Sequence, residues 1–120
     1  MQGGFLASGC PTIPIQLFGH DLDAIIDTGF EGGLHLPGPL LIKLGPSPVS
    51  IGRWQMKSPL GHSLEREVYE VDILIDGLII TVDAIFGETE EALLGTRFLK
   101  DYRLTVDYPA GTVEMVRGTP

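Results

Sequence analysis

The sequence predicts an all-β domain, closed or sandwich-like, built from short strands. Three observations carry that prediction. Sixteen Gly and nine Pro fall within 120 residues, a density that interrupts long helices and suits turn-rich sheets. Apolar residues recur at every second position in several runs, which is the strand period. Turn signals containing Gly or Pro separate those runs. With 43% hydrophobic and 20% charged residues, the chain is neither a disordered tail nor large enough for two cores. One domain over residues 1–120 is therefore expected.

Taken in order, Pro11 to Phe18 sets Ile13, Ile15 and Leu17 against polar or proline positions and reads as a strand. Its two prolines predict an edge position, because proline cannot donate to a ladder. Gly19-His20-Asp21 reads as a turn, and Leu22 to Asp27 as a short strand. Leu34-His35-Leu36 follows Gly32-Gly33 as another brief strand. Gly38 to Leu44 has room for one or two helical turns, stopped by Gly45-Pro46. Val49 to Lys57 and Ser63 to Ile75 form two long arms around Ser58-Pro59-Leu60-Gly61-His62, a projecting hairpin. On the second arm Tyr69, Val71, Ile73 and Ile75 share one face, and Glu70 and Asp72 the other.

Asp76-Gly77 turns the chain into a strand from Leu78 to Phe86. Ala92 to Gly95 is a small apolar run, and Thr96 to Tyr102 is the best helix candidate, with Thr96 as its N-cap. Leu104 to Tyr108 and Thr112 to Val116 make a last hairpin around Pro109-Ala110-Gly111. The expected total is about seven to nine strands and one or two short helices.

Charge and composition exclude several functions. The net charge of -8 repels phosphate and anionic lipid, so neither nucleic acid nor a membrane surface is an expected partner. No apolar run reaches the roughly 18 residues of a membrane span. The opening residues, Met1 to Cys10, lack a basic region and a sustained apolar run, so no signal peptide is expected. The one cysteine, Cys10, rules out an internal disulfide and fits a reducing, cytoplasmic setting. His20, His35 and His62 show no ligand spacing, and no phosphate-binding glycine motif is present. No metal and no cofactor are expected. His35 is expected to pack or to reach solvent, Trp54 to pack or to touch a ligand, and Glu65, Glu67, Glu70, Asp72, Glu88, Glu90 and Glu91 to keep the surface wet.

Asp27 differs from the other acids. It ends an apolar strand, after Ala24, Ile25 and Ile26, and precedes Thr28-Gly29. A carboxylate there is partly buried and needs hydrogen bonds to stay charged. Taken alone, the tripeptide is also consistent with a simple turn cap.

The segment Asp27-Thr28-Gly29-Phe30-Glu31-Gly32-Gly33-Leu34-His35-Leu36-Pro37 resembles the active-site loop of retroviral-type, retropepsin-like aspartic proteases, most of all the bacterial and archaeal members. Ala92-Leu93-Leu94-Gly95, followed by a short helix and a strand, resembles that family's second landmark. The hairpin around Gly61 lies between them, where the family has its flap. The resemblance spans Thr12 to Met115. It departs from the family at Phe30, where a small residue is common, and at the flap tip, which has one glycine and a neighbouring Pro59.

The resemblance implies a retropepsin-like closed barrel or sandwich with a flap hairpin and one short C-terminal helix. It implies an aspartic endopeptidase active as a homodimer on peptide or protein substrates, because this chain holds one Asp-Thr-Gly and the chemistry needs two carboxylates. Asp27, Thr28 and Gly29 are then the catalytic set, with Thr28 bonding across the two-fold axis and Gly29 holding substrate. Phe30, Leu60, Gly61, His62, Leu93 and Leu94 are the implied substrate contacts, although His62 reads first as a solvated turn residue. The chain ends, Phe5 to Ile15 and Thr112 to Val116, are expected to interleave between protomers. Two other readings stay open: a catalytically silent dimerisation or peptide-binding module on the same fold, and an unrelated ligand-binding barrel with Asp27 in a turn.

Overall fold

The structure is a computed structural model, and it describes residues 1–57, 60–87 and 90–118, apart from the side chains at 56 and 57. Among the described residues ten strands form: β1 (Gly4–Phe5), β2 (Pro11–Leu17), β3 (His20–Ile26), β4 (Leu34–Pro37), β5 (Gly52–Lys57), β6 (Ser63–Ile75), β7 (Leu78–Gly87), β8 (Leu93–Leu94), β9 (Tyr102–Asp107) and β10 (Thr112–Arg117). A 3-10 helix covers Gly38–Leu44, and one α-helical turn, α1, covers Thr96–Leu99. The count exceeds the sequence expectation because β1 and β8 are only two residues long, too short to show a period. Among the described residues no helix is long and apolar enough to cross a membrane.

Eight strands pair in the order β1-β2-β3-β8-β4-β7-β6-β5. A further contact, Gln16 to Leu74, joins β2 to β6 and closes the six strands from β2 through β6 into a barrel. The predicted edge position of β2 is thereby corrected. It has β3 along one side, and β1 and β6 at the two ends of the other. The prolines survive because that second side is paired only in part: β1 covers Pro11 and Thr12, and β6 meets Gln16.

Two tight turns set the registers. Leu17 faces His20 across Phe18-Gly19, and Ile75 faces Leu78 across Asp76-Gly77. All four turn residues have positive φ, 52°, 78°, 50° and 75°, which matches the right-handed twist of the flanking strands. The first turn thus sits one residue earlier than the sequence suggested, and His20 and Asp21 belong to β3. With register fixed, every second residue points inward. Ile13, Ile15 and Leu17 meet Val71, Ile73 and Ile75, with Leu34, Leu36 and Leu94 between the layers, and all are buried.

The second sheet is the β9–β10 hairpin. Tyr102 pairs with Arg117, so the helix stops at Leu99 and not at Tyr102. Thr96 is the first helical residue rather than the cap. The N-cap is Gly95, with no side-chain bond. The chain's first residues run beside β10 of the same chain: Gly3 N–H donates to Val113 O at 2.9 Å, and Met115 N–H to Met1 O at 2.9 Å. This edge of β10 is therefore taken within the protomer.

Ile73 is fully buried, and Leu74 on the opposite face is 36% exposed. Ile73→Ala should lower unfolding free energy by about 2–5 kcal/mol, through lost burial and a cavity. Leu74→Ala should change it by less than about 1 kcal/mol. Urea midpoints at constant slope check both, and equal losses would contradict the assigned faces.

Candidate active site

Asp27 follows the last residue of β3, where that strand runs parallel to β8. Its amide donates to Leu94 O at 3.0 Å, and its Oδ1 accepts from Gly29 N–H at 3.0 Å. Phe30 N–H returns to Asp27 O at 3.2 Å, which closes a tight turn. The carboxylate is half-buried, and Thr28 and Gly29 are exposed in the protomer. A Cβ on Gly29 would lie 3.3 Å from Asp27 Oδ1, so glycine lets the amide reach the carboxylate.

The loop beyond Asp27 is clamped by the start of α1. Gly95 N–H donates to Gly33 O at 2.8 Å, Thr96 N–H to Phe30 O at 2.8 Å and Arg97 N–H to Gly32 O at 3.1 Å. Three amides that a helix start leaves unsatisfied are thus spent on three loop carbonyls. The approach is close enough that a Cβ on Gly95 would sit 2.2 Å from Gly32 O.

Phe30 is buried within this corner, 7% exposed. Its ring lies over Gly32 and against Gly95, where added Cβ atoms would come within 2.6 Å of it. The edge-on neighbours are His35, at 6.2 Å between centroids, and Trp54, at 5.6 Å. Phe30, Gly33, Ile51, Trp54, Val68 and Ala84 line a cavity of about 210 Å³ between the loop and the base of the β5–β6 hairpin. Trp54, read from sequence as packing or a ligand contact, is part of that wall. The Arg97–Asp83 ion pair, 3.5 Å, stands at its margin. No local signal marks that pair, since α1 meets β7 only in the folded chain.

The remaining expected residues fall in three places. Leu94 is fully buried, so what it offers the loop is its carbonyl; Leu93 is half-buried beside it. Leu60, Gly61 and His62 are exposed at the hairpin tip, with Leu60 84% exposed and Gly61 at φ 82°. Pro59, named as a departure from the family at that tip, and Glu88, read as a surface acid, lie outside the described residues. His35 is buried rather than solvent-facing, with Nδ1 3.2 Å from Glu91 O.

The hairpin base is fastened by charge. Arg53 contacts Glu67 at 2.8 Å and Glu65 at 3.2 Å, and Ser50 Oγ donates to Glu67. The Ser50 hydroxyl and the Arg53 guanidinium hold the Glu67 carboxyl below its ordinary range, and Glu67 in turn raises Arg53. Two of the acids read as surface wetting therefore hold the hairpin arms together. Among the described residues no three His, Cys, Asp or Glu side chains gather to hold a metal ion.

Gly95→Ala should destabilise the fold by about 1–3 kcal/mol or more, because the clamp must open to admit a methyl group. Gly4→Ala, with nothing within 4 Å, should change stability by less than about 0.5 kcal/mol. Amide exchange at Thr96 and Asp27 reads the loop directly. Unchanged protection in Gly95→Ala would show that the clamp does not hold it.

No family model matches the chain. An uncharacterized protein of Archaeoglobus fulgidus is 29% identical over 99 residues, covering 77% of this chain and 74% of that protein. Among solved structures, the simian foamy virus (mac) protease in solution superposes with a TM-score of 0.57 at 18% identity, covering 74% of this chain and 91% of that one. A foamy viral protease-reverse transcriptase in complex with an RNA/DNA hybrid gives 0.61 at 19% identity over 82% of this chain. Its counterpart in complex with double-stranded DNA gives 0.62 at 16% identity over 80%. The chain spans only 13% and 16% of the length of those two proteins. What these structures share with this chain is the fold, which is all-β and retropepsin-like.

Proposed function

We propose that this protein is an aspartic endopeptidase that works as a homodimer, each protomer contributing Asp27. The observation that carries this reading is the build of the Asp27 loop. A carboxylate at a strand end accepts its own loop's Gly29 amide, and the backbone around it is fixed by β8 and α1. One such loop exists per chain, so a pair requires a second copy. The single cysteine fits a cytoplasmic place of action.

In this mechanism two Asp27 carboxylates face each other and share one proton, because two like charges so close cannot both ionise. The charged member takes a proton from a water held between them. The protonated member donates to the scissile carbonyl as the water oxygen attacks. Collapse of the tetrahedral species returns a proton to the leaving amine. Thr28 bonds across the two-fold axis and fixes both loops. The peptide lies extended under the hairpin tip at Leu60, Gly61 and His62, paired as an added strand. Its side chains meet Leu93 and the Phe30–Trp54 wall, and Leu94 acts from beneath the loop.

Asp27→Asn should abolish cleavage of a mixed peptide pool at about pH 4–6 while leaving the fold and the dimer intact, since an amide keeps the shape but cannot shuttle the proton. If wild type and Asp27→Asn both cleave nothing, the protein is instead a silent dimerisation or peptide-binding module. The rate should fall as pH rises and the shared proton is lost; a rate that climbs steadily to about pH 9 contradicts the mechanism. Thr28→Ala should weaken the dimer measurably, and an unchanged dissociation constant refutes the cross-axis bond.

A further inference from the structure

The β9–β10 sheet has one open side. β10 is flanked by β9 and by the first residues of the chain, while β9 has no second strand beside it among the described residues. An open edge with unpaired backbone groups is a template for another strand. β9 has neither proline nor lysine to blunt it. Its residues alternate cleanly: Tyr102, Leu104 and Val106 are half-buried toward the core, and Arg103, Thr105 and Asp107 face solvent.

We infer that this edge docks a second copy of the same chain, β9 antiparallel to β9 about a two-fold axis through Thr105. The inference rests on the homodimer reading above and names the seam. In that register Arg103 lies opposite the partner's Asp107, and symmetry repeats the pair. Leu104 lies opposite the partner's Val106, so the apolar face continues across the axis. Neighbouring registers are worse. Centring on Leu104 sets Asp107 against the partner's Asp101, and centring on Val106 sets Arg103 against the partner's Pro109, which offers it no charge. A half-step shift puts charged residues against the apolar face.

The side chains are free for this role. Arg103 stands across from Val116 in its own hairpin, and no ion pair of Arg103 occurs among the described residues. Asp107 uses Oδ1 to accept from Ala110 N–H at 3.0 Å, which leaves Oδ2 for a guanidinium. Tyr102 stacks on Phe98 at 5.1 Å, and Tyr108, 63% exposed, leans on Phe5 at 5.4 Å. The same register brings Tyr102 opposite the partner's Tyr108 and joins the two aromatic pairs across the seam.

Sedimentation of charge-reversed variants tests the seam. Arg103→Asp and Asp107→Arg should each weaken self-association by about tenfold or more, because each sets like charges against one another twice. An equimolar mixture of the two should recover a dimer of wild-type strength, since every reversed charge then meets its opposite. If wild type dimerises and the variants dimerise equally well, or the mixture stays monomeric, the β9 seam is wrong while the dimeric protease reading stands. A wild type that stays monomeric at every concentration overturns both. Asp107→Arg also removes the acceptor for Ala110. Should it fail to fold, amide exchange in wild type decides: protection of β9 that rises with protein concentration supports the seam, and protection independent of concentration overturns it.

Discussion

The helix start at Gly95 holds the rest of the candidate site in place. A turn that carries a carboxylate to the surface has carbonyls pointing in several directions, and each needs a donor. Here the donors are the amides of Gly95, Thr96 and Arg97, on Gly33, Phe30 and Gly32. β8 adds the Leu94 carbonyl for Asp27, and Ala92 just before it adds its carbonyl for Ile25. Distant parts of the chain therefore fix one loop. A helix of a single turn is enough, because it contributes its amides more than its length.

Such close backbone approach needs missing side chains, and the glycines supply it in pairs. Gly32 and Gly95 leave a slot with no Cβ atoms, and Phe30 fills it. A small residue would leave that slot empty at the price of a cavity, so the bulky Phe30 is the complement of its two glycines. The same logic operates at Gly87, where a Cβ would meet His35 Nε2 at 2.2 Å. The buried imidazole can enter the barrel wall because the strand beside it has no side chain there.

Much of this was legible in the sequence, and the reason is local. Asp76-Gly77 announced its turn through residues that tolerate positive φ, and the alternation from Tyr69 to Ile75 announced an inward face. Asp27-Thr28-Gly29 and Leu93-Leu94-Gly95 stood out as separate landmarks, and the barrel brings them into contact. What stayed hidden depends on contacts distant in sequence. Nothing near Pro14 reveals that β1 and β6 flank β2. Nothing in Met1 to Gly3 points to β10. Thr96 has the chemistry of a cap, but Gly95 took that place because only glycine clears Gly32. Phe30 read as a departure in the active-site loop and as an implied substrate contact, and only the fold shows it buried.

Association of two such chains works against charge. Each carries a net charge of -8, and the proposed chemistry brings one of those carboxylates from each chain together at the axis. At physiological ionic strength the repulsion between exposed groups is screened beyond about 8 Å. What decides docking is therefore the charge within a few residues of the seam, and not the total. β9 is locally balanced, with Arg103 and Asp107 four residues apart on one face and an apolar face behind them. That balance suits self-pairing and suits an unrelated acidic or basic strand less well. In the proposed dimer, a clamped loop and a self-complementary strand are complementary requirements: the first fixes where each carboxylate stands in its own chain, and the second fixes which chain it meets.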